Sequence, residues 1–368
     1  MKKVLVFGIT QNPGGVESVI MNYYRKIDKS KIQFDFLCNT EVVAYEDEIL
    51  RLGGKIYRIT ARSADRKKYK KDMDSFFDSH AKDYSAIWVN VCSLANIDYL
   101  KYAKKYGIEK RIIHAHNSQN MDSFLRGMLH RFNKICLNQY ATDFWSCSDD
   151  SSIWFYNKKI QLSDKYFIVK NAIDINEFKY NESIRNEYRE KLKLDEKLVI
   201  GNVGRFHFQK NQIFLVKVFN EIQKKEKNSV LLLIGDGEDR KNIISEVEKY
   251  NLIDNVVFLG VRNDVSNLMQ AMDVFVFPSV FEGLGIVAIE AQVSGLPVVA
   301  SNKVIPKEVC IDKEIFEFVD LNKDVQYWAE RILNLAGKVR TRKSKLNLFE
   351  ENHYSIEKEI KRVEGKLC

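Results

Sequence analysis

Residues 277–301 read FPSVFEGLGIVAIEAQVSGLPVVAS. A run rich in Phe and Val (DVFVFPS, 273–279) ends here. A glycine-broken turn follows, then an apolar, helix-sized segment, then a second strand-like run, PVVAS. Strand, turn, helix and strand in this order form the repeating unit of a parallel sheet. The spacing predicts a helix that starts near Gly283–Leu284 and stops at Gly295, a residue suited to the position just past a helix end. The first N–H groups of such a helix lack partners and carry partial positive charge, so a diphosphate suits that end. Gly283 and Gly285 would let a ligand approach the backbone there. Glu282 stands at the helix mouth, and Glu290 lies two turns inside. At about 1.5 Å rise per residue the two carboxylates should lie roughly 8–12 Å apart, the span of a diphosphate with a sugar at each end. The plainer reading makes Glu282 a dipole-stabilised charge and Glu290 a solvated one. Glu290, however, sits in IVAIEAQVSG, where a carboxylate needs a partner.

The same rhythm extends in both directions. Towards the C-terminal side of the chain, LVIGNVGR (198–205), VLLLIGDG (230–237), NVVFLGV (255–261), DVFVFPS and PVVAS are apolar runs with Gly or Ser at or near their ends. Buried parallel strands read this way. In the first half the candidates are 3–9, 34–38, 55–59, 86–91, 111–116, 144–148 and 166–171, with helical stretches such as 16–27 and 96–106 between them. The charged, strand-free stretch NEFKYNESIRNEYREKLKLDEK (176–197) marks a boundary. The expected architecture is therefore α/β, with two Rossmann-like, doubly wound domains facing across a cleft. They would comprise residues 1–175 and 176–350, with an amphipathic helix in 351–368 crossing back to the first. Ser355 is a candidate cap for that helix. Ligands of doubly wound sheets bind outside the carboxyl ends of the strands.

Composition sets limits. The chain has 368 residues, 45% hydrophobic and 29% charged, which suits globular domains and excludes a disordered chain. No apolar run approaches the roughly 18 residues a membrane span requires. The N-terminal MKKVLVFGI reads as a first strand rather than a leader. The net charge of +8 is uneven: residues 1–170 hold 28 lysines and arginines against 19 acids. A basic half suggests an anionic partner such as a membrane surface, although plain solubility explains it equally well. The segment ARSADRKKYKK (61–71) concentrates six cations but has only one aromatic, too little for nucleic acid. Of the six cysteines, Cys38, Cys92 and Cys147 end apolar runs and read as core residues, while Cys136, Cys310 and Cys368 add no metal-ligand spacing. A reducing, cytoplasmic setting is expected.

Further motifs carry chemistry. Arg205 and Lys210 follow a strand and Gly204, and two cations five residues apart can grip two phosphates. Gly14 and Gly15 break the first strand from the first helix, in whose first turn Glu17 lies. His116 ends RIIHAH and opens a loop, so it should point towards the cleft, with His114 deeper on the same face. A hydrogen-bonded structural histidine is the plainer alternative.

Taken together, these stretches resemble glycosyltransferase family 4, the retaining, nucleotide-sugar-dependent enzymes of the GT-B fold. Glu282 and Glu290 match its E-x7-E signature, and GLPVVAS follows as in the family. KNAIDINEF (170–178), GNVGRFHFQKN (201–211), LLLIGDGEDR (231–240), VVFLGVRNDV (256–265), GITQNPGGVE (8–17) and IIHAHNS (112–118) resemble further family segments in order and spacing. Ala172 replaces a usual glycine. The likeness is strongest in 165–305, and the subgroup it suggests makes bacterial exopolysaccharide and capsule.

The resemblance implies a UDP-linked hexose or N-acetylhexosamine donor and a lipid-linked saccharide acceptor. Arg205 and Lys210, with Gly204 and the Gly283–Leu284–Gly285 turn, would hold the diphosphate. Glu290 would bind the ribose, Glu282 the donor sugar, and His116 with Gly14 and Gly15 would complete the sugar pocket. The Arg262 loop would lie near the base. Neither cofactor nor metal is implied, and the expected location is cytoplasmic, at the inner face of the plasma membrane. Two alternatives stand beside this reading. One is a nucleotide-sugar epimerase or phosphorylase on the same scaffold; the other is a non-catalytic nucleotide-binding subunit that supports another transferase.

Overall fold

A computed structural model describes residues 1–118, 123–339 and 341–367. Cys368 therefore lies outside the described residues. The chain divides into two units, Met1–Ile173 together with the residues from His353 onward, and Asp174–Asn352.

The first unit is built on seven strands: β1 (Lys2–Phe7), β2 (Ile32–Cys38), β3 (Ile56–Arg58), β4 (Ala86–Val91), β5 (Lys110–Ala115), β6 (Asp143–Ser146) and β7 (Tyr166–Ile168). Their order in the sheet is β3-β2-β1-β4-β5-β6-β7, with every pair parallel. Helices cover both faces, so β2 (IQFDFLC) is buried at every position. Chain order reverses between β1 and β4, which pair from Val4–Ala86 to Phe7–Val89. That reversal opens a crevice beyond their carboxyl ends, where doubly wound sheets take ligands. The helix Ile356–Leu367 belongs to this unit. Ile356, Ile360, Val363 and Leu367 recur at helical spacing and are buried. Buried Glu359 is held by Arg362 Nη1 at 2.7 Å and His353 Nδ1 at 2.8 Å. Ser355 Oγ donates to Glu357 rather than accepting from a backbone N–H. Cys92 is exposed, contrary to the core position expected for it, because the chain has already left the sheet after Val91.

The second unit has six strands: β8 (Leu198–Val203), β9 (Ser229–Ile234), β10 (Val256–Gly260), β11 (Val274–Phe277), β12 (Val298–Ser301) and β13 (Phe316–Val319). Their order is β10-β9-β8-β11-β12-β13, again parallel throughout, with the reversal between β8 and β11. The helix Ile286–Val293 starts two to three residues later than its spacing predicts. Gly285 adopts a left-handed conformation (φ +85°) that holds the preceding residues off the helix axis, so Gly283 and Leu284 belong to the turn. Its C-terminal end follows the sequence: Gly295 (φ +65°) donates to Gln292 O and Leu296 donates to Ala291 O, which satisfies the last carbonyls. Buried Arg342 donates to the carbonyls of Met269, Gln270, Met272 and Ser294, tying the start of β11 to the end of that helix. Each acceptor left unmet by its loss would cost about 1–3 kcal/mol.

Candidate active site

The reversal between β8 and β11 sets the centre of the site. Beyond β8 the chain runs through Gly204, Arg205 and Lys210 to the helix Gln212–Lys225; beyond β11 it runs through Pro278 to Glu282. One backbone bond and two side-chain-to-backbone bonds lace the two loops together. Val280 N–H donates to Gln209 O at 2.7 Å, Gln209 Nε2 to Phe281 O at 3.0 Å, and Asn211 Nδ2 to Pro278 O at 3.2 Å. Across them Lys210 Nζ meets Glu282 Oε1 at 2.7 Å. Their side chains are 19% and 7% exposed, so this is a buried ion pair rather than a surface one. The lysine stem lies over Gly204, where a Cβ would come within 3.3 Å of it, and Nζ stands 5.1 Å from the centre of the Phe277 ring. At Gly285 a Cβ would fall 2.7 Å from Phe277 Cε1, so the turn beside Glu282 has room for glycine only.

Arg205 behaves differently. Its backbone is fixed by Gln212 Nε2 on its carbonyl, but its guanidinium is exposed and bonded at 2.9 Å to Glu238, which also faces His207 Nε2 at 3.3 Å. Glu238, in the loop after β9, is a site neighbour that sequence reasoning missed; its one signal was an acid in the GDGED turn. Arg262 is committed to Asp264 through two bonds of 2.8 and 2.6 Å, and that contact holds the Asp264 carboxyl down at about 2. Its guanidinium therefore acts within its own loop.

Glu290 sits on the helix Ile286–Val293, partly covered, and no donor meets its carboxylate among the described residues. Burial, with Glu177 as a nearby like charge, pushes its pKa from 4.5 up to about 8. Glu177 was also missed, because it lies in the short helix Ile175–Phe178, more than a hundred positions earlier.

The first unit gathers the remaining candidates at its own reversal. His116 is buried, with Nε2 at 2.9 Å from Asn90 Oδ1; His114 Nδ1 is 3.1 Å from the same oxygen. Asn90 Nδ2 donates to Phe7 O at 3.2 Å, which orients Oδ1 towards both rings as their common acceptor. Each histidine therefore presents an N–H to Asn90, and His116 Nδ1 is left with a lone pair and no bond among the described residues. Burial holds His116 down at about 3 and His114 well below its ordinary value, so both rings are neutral. His116 follows the end of β5 as its sequence suggested, but it is covered there rather than open to a cleft. Asn90 was the missed signal, a polar side chain inside the buried strand AIWVNV. Gly14 caps the helix Gly15–Lys26 without a side-chain bond, and buried Glu17 in its first turn accepts from Thr10 Oγ1 at 2.6 Å. Among the described residues no group of three or more His, Cys, Asp or Glu side chains could hold a metal ion.

Comparison with known proteins decides the family. Residues 184–344 match the model of glycosyl transferases group 1. EpsF of Bacillus subtilis (strain 168), a glycosyltransferase by name, is 31% identical over 348 residues, covering 93% of this chain and 90% of EpsF. The chain belongs to the group 1 glycosyltransferases. A UDP-Gal:alpha-D-GlcNAc-diphosphoundecaprenol alpha-1,3-galactosyltransferase of Escherichia coli is 30% identical over 188 residues, 47% of this chain and 48% of that protein. The crystal structure of Anabaena Alr3699/HepE in complex with UDP-glucose superposes with a TM-score of 0.82 at 18% identity, over 100% of this chain and 99% of that one. At that identity the likeness establishes the GT-B fold. The transferase thus joins a family 4 type of sequence to a GT-B scaffold.

Proposed function

We propose that this transferase moves a hexose or N-acetylhexosamine from a UDP-sugar to a lipid-linked saccharide acceptor during surface-polysaccharide assembly, with retention of configuration and without a metal or cofactor. The observation that carries the reading is the Lys210–Glu282 pair at the carboxyl ends of β8 and β11. It puts a cation and an acid that could accept from sugar hydroxyls side by side where a doubly wound sheet takes its ligand. Lys210 and Arg205 would neutralise the diphosphate, with Gly204 and the Gly283–Leu284–Gly285 turn bringing backbone close to it. As the bond between the sugar's anomeric carbon and the diphosphate breaks, its electron pair passes to the leaving group, and these cations stabilise the charge that builds there. The acceptor oxygen forms its bond on the same face, and its proton passes to the departing diphosphate. Glu282 would orient the sugar hydroxyls and Glu290 the ribose, whose hydroxyls can supply the donors its carboxylate lacks. His116 and the Gly14–Gly15 turn would keep the sugar-pocket role that the family resemblance gives them, and the covered Nδ1 of His116 would have to be uncovered before a sugar hydroxyl could donate to it. The Arg262 loop would serve the base through its backbone. The UDP-glucose complex of HepE and the UDP-Gal specificity of the E. coli relative support the choice of UDP.

A thermal-shift screen of UDP-, GDP- and ADP-sugars tests the donor. At 100 times its dissociation constant the true donor should stabilise the fold by about 2.7 kcal/mol. Anomeric analysis of the product by NMR tests retention, and an inverted product would refute it. UDP binding with no turnover across donor and acceptor panels would favour the non-catalytic subunit.

A further inference from the structure

The helix Phe124–Cys136 (FLRGMLHRFNKIC) is amphipathic in the inverse sense. A surface helix normally turns its apolar stripe inward. Here the inward residues are polar. His130 Nδ1 accepts from Leu94 N–H at 3.0 Å, its Nε2 donates to Trp154 O at 3.2 Å, and its ring stacks on Trp154. Asn133 Nδ2 donates to Leu94 O at 2.6 Å. The outward residues are Phe124, Leu125, Met128, Leu129, Phe132 and Ile135, from 44% to 78% exposed. Positions 124, 128, 132 and 135 form one stripe and 125 and 129 widen it. Exposed apolar groups this dense on one face mark an interaction surface. Ile153, also exposed, extends it, because Lys134 Nζ donates to the carbonyls of Ile153 and Trp154 at 2.8 Å and draws that helix end alongside.

Charge selects the occupant. Arg126 and Arg131 are exposed on the same helix, and residues 123–142 contain no Asp or Glu. Lys158 and Lys159 are exposed shortly after Ile153, and residues 151–163 also lack acids. A second copy docking by two-fold symmetry would set this patch against itself and oppose like charges. An anionic lipid surface presents the complement: hydrocarbon for the apolar face and phosphate for the arginines. We propose that the helix Phe124–Cys136 is the membrane-docking element of this transferase, inserting its apolar face among anionic lipids. The basic segment 61–71 leads into the helix Arg66–His80, with Asp65 accepting from Lys67 and Lys68 N–H.

The proposal deepens the reading of a lipid-linked acceptor, and its test needs no acceptor. Full-length protein is floated with vesicles of phosphatidylcholine alone or with 30% phosphatidylglycerol. Wild type should partition onto the anionic vesicles, and the double variant F124S/F132S should lose at least tenfold in partition with its melting temperature unchanged. R126Q/R131Q should weaken binding and flatten its salt dependence. A separate Phe132→Trp variant should shift its emission to the blue on anionic vesicles and be quenched by brominated acyl chains. No partition, partition insensitive to F124S/F132S, or a concentration-dependent dimer abolished by F124S/F132S would each overturn the proposal. Hydrolysis of a soluble UDP-sugar, read in parallel, should be equal in wild type and F124S/F132S, so loss of donor chemistry would be seen separately from loss of docking.

Discussion

Replacing Glu290 by Gln removes a charge and leaves size and shape nearly unchanged. The Glu290 carboxyl is raised from 4.5 to about 8, first by burial and then by Glu177. Between those values the folded chain keeps a proton that the unfolded chain has released, so stability falls as pH rises. The contribution is intact below 4.5 and lost as pH climbs through about 8. At about 1.36 kcal/mol per unit of full difference, integration from pH 5 to pH 7.5 gives a loss of about 3 kcal/mol from this one group. Glutamine does not titrate, so the variant lacks that slope. Guanidinium unfolding of both proteins across this range should therefore show a gap that widens by about 3 kcal/mol towards pH 7.5, with Glu290→Gln the more stable. Glu177→Gln, which leaves burial in place, should shrink the slope less. Profiles that run parallel from pH 5 to pH 7.5 would falsify the account of Glu290. Function should run the other way. If ribose hydroxyls bind only the ionised carboxylate, affinity for a UDP-sugar, whose diphosphate does not titrate here, should rise about tenfold per pH unit below pH 8 and stay flat in Glu290→Gln. A residue that lowers stability at working pH is the kind expected at a binding site.

Three further outcomes follow from the same geometry. Lys210→Met and Glu282→Gln each break a buried pair and should cost about 2–4 kcal/mol, with a coupling of about 1–3 kcal/mol in the double mutant; strict additivity in denaturation would show the pair to be energetically silent. Gly285→Ala combines a positive φ with a 2.7 Å contact on Phe277 and should lower stability by about 1–3 kcal/mol, seen as a drop in melting temperature; an unchanged melt means the turn relaxes freely. With its ring held at about 3, His116 should show no NMR titration between pH 5 and pH 8, and a midpoint near 6.5 would contradict its buried, neutral state.

Twelve of the thirteen strands were legible as short apolar runs, the central ones because a parallel strand buried on both faces must be nearly unbroken. β13 was not. FEFV is only four residues long and lies at the sheet edge, and Glu317, which faces Arg331, interrupts it, so no run forms. The site divides along the same line. Gly204, Lys210, Glu282 and the turn at Gly285 were readable because the chemistry of each lies in a few consecutive residues. Pairings were not readable, because only the sheet order creates them. Lys210 and Glu282 are 72 positions apart and meet because β8 and β11 are neighbours at the reversal. Asn90 comes between two histidines because β4 and β5 are in register at Asn90–His114. Glu238 reaches Arg205 across β8 and β9. Sequence assigned Lys210 to phosphate and Glu282 to sugar as separate tasks, whereas the fold makes them each other's counter-ions. On the proposed roles, a donor diphosphate would compete with Glu282 for Lys210, and the carboxylate so released would take the sugar hydroxyls. Phosphate capture and sugar recognition would then be one exchange at a single ion pair, which neither residue discloses alone.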